Sequence, residues 1–487
     1  MNAIAALIDW PDDAEADYPL ALWTSCELAE AMGGKASADF EVSGVEIDSR
    51  DVQPGDLFFA LKGETMDGHR FLEAAFQKGA TAAVVSQKIE QHHILVSDTT
   101  AALAQLAKAS RARVSSTSTI LGVTGSVGKT SVKEALHAAL DRASHGRAHR
   151  SVKSYNNHVG VPLSLARMPS GSRFGVFEMG MNHAGEIADL TTQVRPHIAL
   201  ITTIAPAHIE NLGSEEAIAD AKAEIFRGLQ PGGSAIIPAD SPHYARLRAA
   251  ALLVRAEVVS FGRAPHADVR LLDAVPAPGG GSLVTAELGD RRLCYTIAAP
   301  GEHWVINSLA VMAAVRAAGG DLGAAGLALA ELEGLKGRGA RHRIPARKGT
   351  ALLIDESYNA NPASMAATLA QLGAAPATRR IAVLGAMKEL GEHGPQFHAA
   401  LAAPLRAAGA DYAVLVGDEM GALADELGKS PPAALGKAVP FAHCQNAAEA
   451  LTALLQYGVE SGDAILVKGS NSVGLGKLVE ALTHVES

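Results

Sequence analysis

Apolar residues in this chain fall into short aliphatic runs that alternate with stretches whose apolar positions recur every three or four residues, the pattern of strands feeding helices. Residues 79–86 and 93–97 read as strands, and 99–113 as a helix with Leu103, Leu106 and Ala107 on one face. Thr24 and Glu27 stand in capping-box spacing, Trp23 is placed to staple Leu28, and Gly33-Gly34 stops that first helix. In 45–63, strand-like runs flank a Pro54-Gly55 turn. A second block offers strands at 119–124, 173–179, 197–204 and 235–238, helices at 214–229 and 307–318, and a Gly/Pro-rich hairpin turn at 274–282. The third block repeats the rhythm at 351–354, 380–384, 412–416 and 464–467. Residues 115–118 are small and polar, as a linker is, so three domains are expected, at 1–114, 115–333 and 334–487.

Composition narrows the function. The 487 residues are 48% hydrophobic, with mean hydropathy +0.12, enough to bury several cores. A net charge of −10 argues against a general nucleic-acid binder, which needs a broad basic surface. Cys26, Cys294 and Cys444 are widely spaced and lack metal-ligand spacing, which fits a reducing compartment. Residues 1–20 carry Asp9, Asp12, Asp13, Glu15 and Asp17 and no basic residue, unlike a secretory signal. No apolar run approaches the roughly 20 residues that span a bilayer. A soluble, cytoplasmic protein is expected.

The candidate chemistry centres on 119–131, where an apolar run stops at two glycines and restarts as a helix. Without side chains at Gly125 and Gly128, main-chain N–H groups can close on phosphate oxygens, and the helix N-terminus adds partial positive charge. Gly125, Ser126, Val127, Gly128, Lys129, Thr130 and Ser131 would cradle a nucleotide, with Lys129 on its terminal phosphates and the Thr130 hydroxyl on Mg2+. Val123 stands where the general pattern has glycine, so the match is to the shorter form T-G-S-x-G-K-T.

Other residues are open to two readings. Glu178 ends a strand before a glycine turn, at the sheet edge where α/β folds bind ligands; it is a metal ligand or a solvated acid. His208 follows a strand and a proline turn, and a lone histidine is as readily structural. Lys222 has Ile218, Ala219, Ile225 and Phe226 as its helical neighbours and no acidic partner. An amine in such a wall loses its proton more easily and can take up CO2 as a carbamate, which would turn a cation into a metal ligand; a snorkelling lysine is the other reading. His303 and Asn307 share a helix face, and Arg341 lies in a basic segment, 338–343, that is an anion clamp or a solvated turn. Asp355 ends a buried strand, and Lys468 puts a cation at the end of the last one.

T-G-S-V-G-K-T at 124–130, N-N-H-V-G-V-P at 156–162, E-M-G-M-N-H-A-G-E-I at 178–187, G-E-H-W-V-I-N at 301–307 and D-E-S-Y-N-A-N-P at 355–362 together resemble the Mur ligases, ATP-dependent amide-forming enzymes of peptidoglycan synthesis. The resemblance covers nearly the whole chain. It implies an α/β fold of three domains: a small UDP-sugar-binding one, a central P-loop ATPase-like one with a parallel sheet, and a C-terminal Rossmann-like one. It makes Glu178, His208 and a carbamylated Lys222 the Mg2+ ligands beside Thr130, and Asn307, Arg341 and Asp355 contacts of ATP. Lys129, His208, Lys222 and Arg341 would be catalytic; Ser49, Arg50, Lys62, Asn157, Asn359 and Lys468 would bind substrate. The stretch 358–362 resembles the branch that joins D-alanyl-D-alanine to UDP-N-acetylmuramoyl-tripeptide; the Tyr-Ala-His and Asp-Asn-Pro-Arg signatures of the branch adding the third residue are not found. Ala386 and Ala402 depart from the family's usual aspartate and glycine. ATP and Mg2+, those two substrates, no nucleic acid, no membrane insertion and a monomeric state are therefore expected. A folylpolyglutamate-synthase-like ligase would share the ATP core without needing the N-terminal block, and a P-loop kinase or switch NTPase would need no amine acceptor.

Overall fold

The computed structural model of the protein describes residues 21–63, 66–206, 209–277, 280–332, 334–429 and 438–484, and its counts and absences concern those residues. The acidic stretch 1–20 lies outside them. The chain forms two compact units, Met1–Ser118 with Pro162–Ser172, and Thr119–Val161 with Arg173–Ser487.

The first unit is built on a five-stranded sheet in the order Lys35–Ala36, His93–Leu95, Ala82–Val85, Asp56–Phe59, Gly44–Glu46. Only the first pair is antiparallel. Gly55 takes φ +95° at the expected Pro-Gly bend, yet the runs on either side pair in parallel, so 47–55 is a crossover. Helix Ser25–Met32 begins with the capping box expected: the Thr24 side chain accepts from Glu27 N, Glu27 reaches back to the Thr24 N–H, and Gly33 closes the helix in the left-handed region. Helix Thr99–Arg113 buries Leu103, Leu106 and Ala107. Segment 162–172 joins this unit through side chains. The Trp23 indole donates to Ala166 O at 2.8 Å beneath the Arg113 guanidinium, Ser110 donates to Leu165 O at 2.6 Å, and Arg167 pairs with Glu46 at 3.0 Å.

The second unit carries two sheets. Nine strands run in the order Arg291–Ile297, Ser282–Leu288, Val269–Pro276, Glu257–Gly262, Ser234–Pro238, Ile198–Ile201, Thr119–Thr124, Phe174–Glu178, Ala148–Arg150. The hairpin expected around 274–282 adds the antiparallel pairs; the other neighbours are parallel. Both faces of the parallel part are covered, which is why its strands read as unbroken aliphatic runs. Helix Glu302–Ala317 is buried almost all round, among Leu136, Leu140, Ile236 and Leu309 of one core. The helix expected over 214–229 is α-helical only through Glu215–Ala223 and tightens to a 3-10 turn over Glu224–Gly228.

The other sheet runs Ala340–Ala346, Gly349–Glu356, Asp463–Lys468, Arg379–Gly385, Tyr412–Val416, Phe441–Cys444, parallel except for the first pair. Its four central strands fall at the runs read from sequence. No helix among the described residues is long and apolar enough to cross a membrane.

Candidate functional site

Strand Thr119–Thr124 lies between Ile198–Ile201 and Phe174–Glu178, so the chain leaves it at the point where successive strands go to opposite sides, the place where open α/β sheets form a crevice. Gly125 sits at φ +146°, and a Cβ there would fall 2.0 Å from Thr202 Oγ1. Gly128 sits at φ +86°, and a Cβ there would fall 3.1 Å from the Asn307 amide. No other residue type fits both the backbone and the space at Gly125. The loop is fixed from below: Ser126 N donates to Thr203 O at 2.7 Å, Ser126 Oγ to Ala205 O at 2.9 Å, and Thr202 Oγ1 to Val127 O at 2.5 Å. Helix Lys129–Ala143 starts directly after it. Lys129 folds back to donate to Gly125 O at 2.8 Å, and burial lowers its pKa against the opposing charge of Glu178. A phosphate group would satisfy this desolvated cation better than the carbonyl does.

Glu178, the last residue of its strand, is fully buried. One carboxylate oxygen accepts from Thr130 Oγ1 and the other from Asn156 Nδ2, both at 2.8 Å, while Glu178 N donates to Ser151 Oγ at 2.9 Å. Ser154 Oγ lies 3.3 Å from Thr130 Oγ1. A buried carboxylate bonded to one hydroxyl, with a second hydroxyl beside that one, is the hard oxygen donor set that Mg2+ takes, so the residues present fit that ion. Lys222 is buried, and its amine is held well below the ordinary lysine range, first by burial and then by the charge of Lys129. His208 lies outside the described residues, and no group of three or more His, Cys, Asp or Glu that could hold a metal is found among those described.

A cavity of about 780 Å³ opens from this cradle to the carboxyl ends of the six-stranded sheet. Ser126, Val127, Gly128, Lys129, Ser131, Asn157, Glu178 and Asn307 line it from the nine-stranded sheet, and Arg338, Glu356, Asn359 and Lys468 from the other. Lys468 is buried and donates to Asn359 O at 2.9 Å. His303 lines the cavity too, with its pKa pushed down to about 4 by burial and by the charge of Lys468.

Family comparison agrees with this geometry along the chain. The Mur ligase catalytic-domain model matches 41–123, the middle-domain model 123–315 and the glutamate ligase domain model 341–471. UDP-N-acetylmuramoyl-tripeptide--D-alanyl-D-alanine ligase of a Synechocystis strain is 34% identical over 92% of this chain and 93% of its own. The chain belongs to the Mur ligase family. The crystal structure of MurF from Acinetobacter baumannii superposes with TM-score 0.79 at 30% identity, covering 95% of this chain and 98% of that one. MurF from Thermotoga maritima in complex with ADP gives 0.72 at 27% identity, covering 91% and 97%.

Within this Mur ligase, several expected site residues do not line the cavity. Gly125 forms the bend, and Thr130 and Lys222 are buried behind the wall. Arg341 lies on strand Ala340–Ala346 opposite Ile354 and is absent from the lining, whereas Arg338, three residues earlier, lines the cavity and stacks over Tyr358 at 4.4 Å. Asp355 is also set back: its carboxylate accepts from Gly337 N at 2.7 Å, Ser357 N at 3.1 Å and Ser357 Oγ at 2.6 Å, and so shapes the loop that presents Arg338. Ser49, Arg50 and Lys62 belong to the first unit, where Arg50 pairs with Asp48 and Lys62 bridges to Asp67. Sequence reading passed over Arg338 and Glu356. The glycines at 337 and 339, both at positive φ, were the available signal for a tight turn projecting Arg338. Choosing Asp355 as the strand's functional end hid Glu356, because neighbours on a strand face opposite ways.

Proposed function

We propose that this chain is an ATP-dependent ligase that joins D-alanyl-D-alanine to UDP-N-acetylmuramoyl-tripeptide in cytoplasmic peptidoglycan precursor synthesis. The observation that carries the reading is the Lys129–Thr130–Glu178 cradle, whose Lys129 and Glu178 line the same cavity as Asn359 and Lys468. The names of the relatives supply the substrates. The domains 1–114, 115–333 and 334–487, and a monomeric state, belong to the same proposal.

A carboxylate is a poor acyl donor, because expelling oxide near neutral pH is too costly. ATP would therefore first convert the terminal carboxylate of the tripeptide to an acyl phosphate. Two anions must meet in that step. Main-chain amides of 125–131 and Lys129 would hold the terminal phosphates of ATP, with Arg338 or Arg341 adding charge as the phosphoryl group moves. Asn307, behind Gly128, and Asp355, through its loop, would position the nucleotide. Thr130 and Glu178, with His208 and a carbamylated Lys222, would hold Mg2+, which when bound offsets phosphate charge. Ser49, Arg50 and Lys62 would take the UDP end, and Asn157, Asn359 and Lys468 the peptide and the incoming dipeptide. The dipeptide amine would then attack and release phosphate, in a site closed to water.

Release of ADP and phosphate, followed with each substrate left out in turn, tests this. Release is expected only with UDP-N-acetylmuramoyl-tripeptide and D-alanyl-D-alanine together. Release with ATP alone would favour a switch NTPase, and release with a substrate lacking the UDP group would favour a folylpolyglutamate-synthase-like ligase.

A further inference from the structure

Resting on the function just proposed, the chemistry needs a group that none of the assigned residues supplies. An amine arriving as ammonium has no lone pair, so something must take its proton. Among the described residues, four carboxylates line the cavity: Glu178, Glu186, Glu356 and Glu389. Both Glu178 oxygens are engaged by Thr130 and Asn156. Those of Glu186 are engaged by Asn182 N at 2.7 Å and by the His183 ring at 3.2 Å. Glu389 is exposed, and its charge acts on Lys129, at the phosphate end of the cavity.

Glu356 differs. It ends strand Gly349–Glu356, its side chain is only 14% exposed, and it lines the cavity. Its nearest cation, Lys468 Nζ, pairs with Oε2 at 3.6 Å and also donates to Asn359 O at 2.9 Å. Among the described residues no donor other than Lys468 meets the Glu356 carboxylate, so most of its lone pairs remain for a ligand. We propose that Glu356 accepts the proton which the dipeptide amine sheds before attack, with Lys468 and Arg338 holding the carboxylate toward the cavity.

The surrounding charges suit that role. Burial raises the Glu356 pKa and makes it a better base than an ordinary carboxylate; Lys468 and Arg338 oppose this and Asp355 adds to it, while His303 stays neutral nearby. One ammonium proton passes to Glu356. The freed nitrogen lone pair forms the C–N bond at the acyl carbon, and the carbonyl electrons move to oxygen and return as the C–O bond to phosphate breaks. Phosphate leaves with that electron pair and takes the second proton from nitrogen, while Glu356 returns its own to water.

The test compares full-length wild type, Glu356→Gln and Glu356→Asp with two amines. D-Alanyl-D-alanine arrives largely protonated near neutral pH, and hydroxylamine does not. Exchange of labelled phosphate oxygens within ATP reports acyl-phosphate formation separately. Glu356→Gln is expected to lose about 100-fold in turnover with the dipeptide near pH 7, while acyl-phosphate formation and hydroxamate formation stay within about 3-fold. The deficit should shrink to about 10-fold or less near pH 9.5, where free amine is abundant, and Glu356→Asp should regain part of the loss. A deficit equal for both amines and independent of pH, or no deficit at all, would overturn the assignment. The wild-type rate with the dipeptide tests the substrate reading by itself.

Discussion

Lys222 shows how much one side chain can commit to. Its amine is buried, and the first charge acting on it, that of Lys129, is repulsive, so both burial and charge shift the balance toward the neutral form that takes up CO2. Lys222→Ala is therefore expected to lose most ligase activity and to regain part of it when short carboxylic acids are added, since these can replace a carbamate but not an ammonium. A fully active variant in the steady-state assay would reject the carbamate. His303 gives a pH dependence with a definite sign. Its folded pKa, about 4, lies below the ordinary 6.5, so the unfolded chain binds the proton more readily between those values. The stability it contributes is complete above about pH 6.5 and is lost as pH falls toward 4, an effect on the order of 3 kcal/mol. Urea unfolding of wild type and His303→Asn across that range should show a shallower acid loss in the variant.

Elements were legible where local chemistry alone sets them. The helix Thr99–Arg113 begins after Asp98, whose side chain accepts from Thr100 N and Ala101 N, and it occupies the expected residues because one face alone is apolar. Helix Glu302–Ala317 showed in the sequence as an alanine-rich run at 307–318 and, separately, as a helix face shared by His303 and Asn307; buried all round, it carries no periodic stripe to join the two into one start. The 3-10 turn after Ala223 was not legible at all: it follows the packing of Ile225 and Phe226, both buried, and the Glu224 carboxylate caps Gly185 N from a distant part of the chain. Similarly, the basic segment 338–343 read as an anion clamp or a solvated turn, with Arg341 singled out by the family resemblance, and it is the glycine-bounded turn that puts Arg338 on the cavity wall. Two substitutions test elements directly. Thr24→Ala removes the capping box and should cost about 1 kcal/mol in thermal or urea unfolding, without changing ATP affinity. Gly125→Ala meets Thr202 Oγ1 and a backbone angle that alanine avoids, so nucleotide binding by calorimetry should fall at least about 10-fold.

For the whole molecule, the function depends on bringing together groups that lie far apart in sequence. Lys129, Glu178, Asn307, Glu356 and Lys468 span most of the second unit, and each stands at or just beyond the carboxyl end of a parallel strand or on a helix beside one. That edge is where such sheets gather ligands, so the site's location was legible from the strand pattern, while its exact membership depended on three-dimensional packing. The central claim is that the cradle brings a peptide carboxylate to the last phosphate of ATP. The most direct measurement uses UDP-N-acetylmuramoyl-tripeptide carrying labelled oxygen in its terminal carboxylate, with ATP and D-alanyl-D-alanine, and analyses the phosphate released by mass spectrometry. One labelled oxygen in each phosphate is the expected result; phosphate free of label, with all of it left in the peptide, would contradict the acyl-phosphate route.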